Sequence, residues 1–74
     1  MEIQFPLYVV RTIADGEHYY PPRDFTSDVL AEAFYGSTVD RLNREDPKSV
    51  EITVQFIDVN DDNHVVYERT FPRV

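Results

Sequence analysis

Asp24–Glu45, DFTSDVLAEAFYGSTVDRLNRE, is the one segment of helical character in a chain whose other apolar runs alternate like strands. Thr26 suits an N-cap, Asp28 falls in the first turn near the positive end of the helix dipole, and Phe25 stands where it can staple onto Leu30. Val29, Leu30, Ala33 and Phe34 share a face at 100° per residue, but Val39 and Leu42 would fall opposite if the helix stayed regular. Gly36 followed by Ser37, with Asp40 three residues on, predicts a break there and a second, shorter helix from about residue 38 to 44. The alternative is one continuous helix weakened at Gly36 by about 1 kcal/mol relative to alanine.

Upstream, Ile3, Phe5, Leu7, Val9 and Ile13 are apolar at odd positions, with Arg11 the exception, as in a half-buried strand. Pro6 cannot donate to a ladder, so an edge position or a bulge is expected. Asp15-Gly16 suits a two-residue hairpin turn, and His18, Tyr19 and Tyr20 form a short return strand that Pro21-Pro22 should stop. Downstream, Val50, Ile52, Val54 and Phe56 alternate with polar residues, and a second strand runs from His64 to Phe71 with Val65, Tyr67 and Phe71 on one face. The expected fold class is α+β: a small, mostly antiparallel sheet in the order β-β-α(α)-β-β, helical segment on one face, in a single domain over 1–74.

A chain of 74 residues buries only about 60% of its unfolded surface, so its core is thin. It has no cysteine, hence neither disulfides nor thiolate metal sites, and a homodimer or bound partner would add stability. No basic segment leading into an apolar run opens the sequence, and no run is long enough to span a membrane, so a cytoplasmic location in a bacterial or archaeal host is expected. Fourteen acidic residues against seven basic ones give a net charge of −7, and Lys48 is the only lysine. That field disfavours direct nucleic-acid binding. It fits either a well-solvated, salt-adapted surface or a patch for a basic protein partner.

The tip Asp58-Val59-Asn60-Asp61-Asp62-Asn63 invites a calcium reading. Together with Leu42-Asn43-Arg44-Glu45 and Ile52–Phe56 it resembles the end of a cadherin repeat, over about 22 residues. Asn43 stands where that pattern has an acid, Asp62 shifts the register, and a helical segment replaces the Greek-key sandwich, so membership is rejected. An EF-hand loop from Asp58 would need glycine at its sixth position and glutamate at its twelfth, where Asn63 and Arg69 stand. Asn and Asp crowd hairpin tips because they tolerate left-handed geometry, so weak calcium binding at 58–63 is the lesser reading. No metal ligands or cofactor are assigned.

HExxH, GxSxG, P-loop and GxGxxG motifs are absent and the two histidines, His18 and His64, flank turns, so a non-catalytic protein is expected. The run His18–Arg23 has tyrosines and an arginine, residue types enriched at interface hot spots, held by a proline pair. Expected partner-binding residues are therefore the carboxylates Asp15, Glu17, Asp24, Asp28, Glu32 and Asp40 with Tyr19, Tyr20 and Tyr35 as anchors, Tyr35 lying on the polar side of the helix. In size, α+β plan, acidity and lack of catalytic motifs the chain resembles the small phage-encoded anti-CRISPR and anti-restriction inhibitors, a likeness of type without a shared motif. The resemblance implies nucleic-acid mimicry, by occlusion of the basic surface of a nuclease or CRISPR effector complex. A structural subunit pairing through a sheet edge, 3–13 or 64–71, is the alternative.

Overall fold

In the computed structural model, which describes residues 7–73, four strands and one helix follow in the order β1 (Tyr8–Ala14), β2 (Glu17–Phe25), α1 (Asp28–Glu45), β3 (Ile52–Asp58) and β4 (His64–Phe71). All strand pairs are antiparallel and the sheet order is β2-β1-β3-β4. The α+β reading thus holds, with two hairpins joined by the helix and β1 against β3 at the centre.

Asp15 and Gly16 both take positive φ, 54° and 78°, the geometry of the tight turn the Asp-Gly pair foretells. β2 does not stop at the prolines but continues to Phe25. It is an edge strand, and between the Val10–Arg23 and Thr12–Tyr20 pairs Pro21 and Pro22 together oppose the single residue Arg11. Prolines survive in a strand at such an edge bulge, where no ladder donor is required of them.

β1, by contrast, is a central strand paired on both sides, so 8–14 is no edge. Pro6 and the rest of 1–6 lie outside the described residues. The face toward the helix is also the even one: Val10 and Thr12 are buried opposite Phe56 and Val54, while Val9, Arg11 and Ile13 turn to the helix-free side. Register with β3 settles this, because Ile52, Val54 and Phe56 are β3's core positions and every cross-strand partner shares their side. On the helix-free side a polar row crosses three strands: Arg11 Nε donates to Gln55 Oε1 at 2.6 Å and Gln55 Nε2 donates to Glu68 Oε2 at 2.6 Å. In β4 a bulge at Val66 puts Val65 opposite Ile57 but Tyr67 opposite Phe56, so Val65 and Tyr67 do not share a face as the alternation predicts.

The helix is continuous from Asp28 to Glu45, without the break predicted at Gly36. Its N-cap is Ser27 rather than Thr26; the Ser27 Oγ accepts from the Leu30 amide at 3.4 Å. Asp46, in the left-handed region at φ 47°, closes the other end by donating its amide to the Leu42 carbonyl, just before Pro47. One stripe, Ala31, Thr38, Val39 and Leu42, is buried against β1 and β3, flanked by half-buried Phe34 and Tyr35. Val29 and Leu30, expected on the inner face, are outside at 69% and 61% exposure. The change of phase at Gly36 exists only if those two residues are core; without them the stripe runs unbroken. Phe25 accordingly stacks on Phe34, ring centroids 5.4 Å apart, rather than stapling Leu30. Thr38, buried on this stripe, donates its hydroxyl to the Phe34 carbonyl at 2.8 Å, so its polarity costs little.

Candidate functional site

Since Ala31, Thr38 and Leu42 face the sheet, a 100° step per residue points Val29, Ala33 and Asp40 directly away from it. Asp28 and Glu32, one turn apart, lie along one flank and Leu30 along the other. All of these are exposed. Asp28 Oδ1 accepts from the Val29 amide at 2.8 Å, a first-turn position where its charge also suits the helix dipole. Among the described residues only two ion pairs form, Arg41–Glu45 at 3.0 Å and Lys48–Asp46 at 3.3 Å. The carboxylates of Asp28, Glu32 and Asp40 therefore carry uncompensated charge on a surface that also shows two large aliphatic side chains.

The remaining sequence-predicted residues are distributed over the molecule. Asp15 and Glu17 sit at the β1–β2 turn, at the opposite end of that hairpin from Asp24 and Asp28. Asp24, in register with Val9, belongs to the helix-free side. Tyr19 is 40% exposed beside the Tyr20 ring, 4.8 Å between centroids. Tyr35 lies not on the polar side of the helix but half-buried against Phe56 and Tyr67, and burial raises its pKa above the ordinary phenol value. It is a packing residue first. The structure thus groups Asp28, Glu32 and Asp40 on α1 and leaves Asp15, Glu17 and Asp24 apart from them.

Tyr20 ties the strand hairpin to the helix. Its hydroxyl donates to Glu45 Oε2 at 2.7 Å, Arg41 Nε donates to Glu45 Oε1 at 3.0 Å, and the Arg41 guanidinium lies 4.6 Å from the Tyr20 ring centroid. Burial, then the bond to Glu45, pushes the Tyr20 pKa up to about 12. The same hydroxyl, then Arg41, holds the Glu45 carboxyl below its usual range. The Arg41–Glu45 spacing of four residues is a sequence-visible signal for this contact; the tyrosine's part in it depends on the tertiary fold.

Among the described residues no group of three His, Cys, Asp or Glu side chains is placed to hold a metal ion. At the β3–β4 tip, Asp62 and Asn63 take φ of 54° and 56°, and the turn closes through backbone bonds from the Asp61 amide to Asp58 and the His64 amide to Asp61. Among the described residues no helix is long and apolar enough to cross a membrane.

The two sheet edges differ. β2 is interrupted by its prolines and by a further register shift between the Thr12 and Ile13 pairs; β4 carries a single bulge, at Val66, and presents Val65, Val66 and Tyr67 at 36%, 41% and 46% exposure. Comparison with protein-family models, with curated proteins and with solved structures gives no match.

Proposed function

We propose that this is a non-catalytic binding protein that occludes a basic, nucleic-acid-binding surface of a partner, in the manner of a phage inhibitor of a nuclease or CRISPR-type complex acting in the host cytoplasm. The observation that carries the reading is the outer surface of α1. Val29 on the outer face and Leu30 on one flank supply exposed aliphatic contact, and Asp40 on the outer face with Asp28 and Glu32 on the other flank supply unpaired negative charge. Protein interfaces combine apolar contact with polar groups, and the charge selects a basic partner and speeds encounter. The hairpin acids Asp15 and Glu17, at the β1–β2 turn, add charge of the same sign elsewhere on the molecule, and Tyr19 is a neutral, 40% exposed ring. The test is capture of the chain's partner from host lysate, washed at low salt and at about 0.5 M salt, where the Debye length falls to a few ångströms. Recovery of a nucleic-acid-binding enzyme that is lost in the high-salt wash supports the proposal, and a partner retained equally at both salts sinks the mimicry.

A second reading, a structural subunit pairing through its sheet edge, is favoured by β4. An edge strand with three exposed apolar side chains is a template for another strand. Light scattering decides it: twice the chain mass, returned to one chain mass by Val66→Lys, supports edge pairing into a homodimer, and a monomer at high concentration removes it.

A further inference from the structure

Between α1 and β2 the helix stands off the sheet and leaves a cleft of about 300 Å³, at the small end of the range for ligand sites. Its floor is Val10 and Thr12, exposed by only 1% and 3%. Phe34 walls it on the helix side, and Tyr20 and Pro21 on the strand side.

Two guanidinium groups border this cleft. Arg41 is neutralised by Glu45. Arg23 forms no ion pair among the described residues; it lies 5.3 Å from the Phe34 ring centroid and 5.9 Å from that of Phe25. A guanidinium held over aromatic faces keeps its N–H edge available for a planar, two-oxygen acceptor. Thr12 is the second feature: its side chain lines the cleft and bonds to no other described residue, and since no buried side-chain oxygen there lacks a partner, its hydroxyl is open to the cleft and free to meet a ligand. The neighbouring Thr38 hydroxyl, by contrast, is already bonded to the Phe34 carbonyl.

We propose that this cleft binds a small monocarboxylate with an apolar, ring-sized body. The carboxylate pairs with Arg23, one of its oxygens accepts from the Thr12 hydroxyl, and the body rests on Val10, Pro21 and Phe34. Charge argues for a monoanion. With Arg41 already paired the cleft offers one uncompensated positive charge, which a monocarboxylate neutralises, whereas a phosphate dianion would leave a net negative charge within the cleft. The geometry agrees, since the two coplanar oxygens of a carboxylate match the arginine fork. The proposal is independent of the partner-binding role of the outer helix face.

The experiment is an amide NMR titration of the whole chain with phenylacetate, with the neutral phenylacetamide, and with inorganic phosphate. Phenylacetate should shift Thr12, Ser37 and Thr38 and saturate in the millimolar range, with phenylacetamide and phosphate at least tenfold weaker. Arg23→Gln should weaken phenylacetate at least tenfold while keeping a dispersed spectrum, and Arg23→Lys should recover part of the loss. Equal response to acid and amide, stronger binding of phosphate, or shifts lying outside the cleft would each overturn it. The comparison of acid with amide on the unaltered chain decides the matter even if the arginine variants fold poorly.

Discussion

The two sides of α1 do opposite jobs. Toward the sheet it presents a narrow stripe of an alanine, a threonine, a valine and a leucine, all buried; away from it stand Val29 and Leu30 among unpaired carboxylates. Aliphatic side chains lie outside while a threonine lies inside, so the helix is weakly amphipathic by composition yet sharply two-faced by contact. The inner side holds the fold together. The outer side contributes little to the fold and is where the proposed partner contact falls.

The largest effect should come from the inner face. Leu42 is fully buried at the centre of the core, so Leu42→Ala should cost about 2–5 kcal/mol of unfolding free energy in a urea titration. A cost below about 1 kcal/mol would mean that the helix is not seated as described. Next is the cap that sets where both faces begin: Ser27→Ala should cost about 1 kcal/mol, whereas Thr26→Ala, one residue earlier, should cost clearly less. On the outer side the sign reverses. Gly36 is exposed, within the helix and with nothing inside 4 Å of an added Cβ, so Gly36→Ala should stabilise by about 0.5–1 kcal/mol. A helix broken at Gly36 would instead lose stability. Replacing Asp28, Glu32 and Asp40 by their amides should move stability by under about 1 kcal/mol in total while weakening the proposed partner interaction.

The smallest effect concerns the junction of helix and hairpin. Glu45 has a depressed folded-state pKa, so its contribution is fully present above the unfolded value of about 4.3 and is lost as pH falls through the folded one. Tyr20 is raised to about 12, so its contribution is present below about 10 and is lost as pH climbs toward 12. Melting temperatures should therefore lose part of their acid-side slope in Glu45→Gln and part of their alkaline-side slope in Tyr20→Phe. Unchanged slopes in both would remove the contact.

What could be read from sequence follows from how local each determinant is. The Asp-Gly turn and the β3 alternation are fixed within a few residues, and both are legible. Hydropathy turns the wrong face of α1 inward, because it ranks Val29 and Leu30 above Ala31 and Thr38 while the sheet selects by position. The length of β2 escaped because proline is costly in a strand only where its missing N–H would face a neighbour, and that depends on which strand is the edge. The flipped face of β1 has the same origin, since register with β3 outweighed the odd-position run of apolar residues. Exposed carboxylates on the helix were foreseeable by type and spacing. The cleft was not, because Thr12, Arg23 and Arg41 come from three elements and meet only through the sheet's register and the stand-off of the helix.

The most direct test of the central claim is competition on a captured nucleic-acid-binding partner carrying a fluorescent oligonucleotide, read by anisotropy as the chain is added. The account predicts release of the oligonucleotide at low salt, weaker release as salt rises, and weaker release still with the Asp28→Asn, Glu32→Gln, Asp40→Asn triple variant. Binding of chain and oligonucleotide together, or undiminished release by the triple variant, would contradict it.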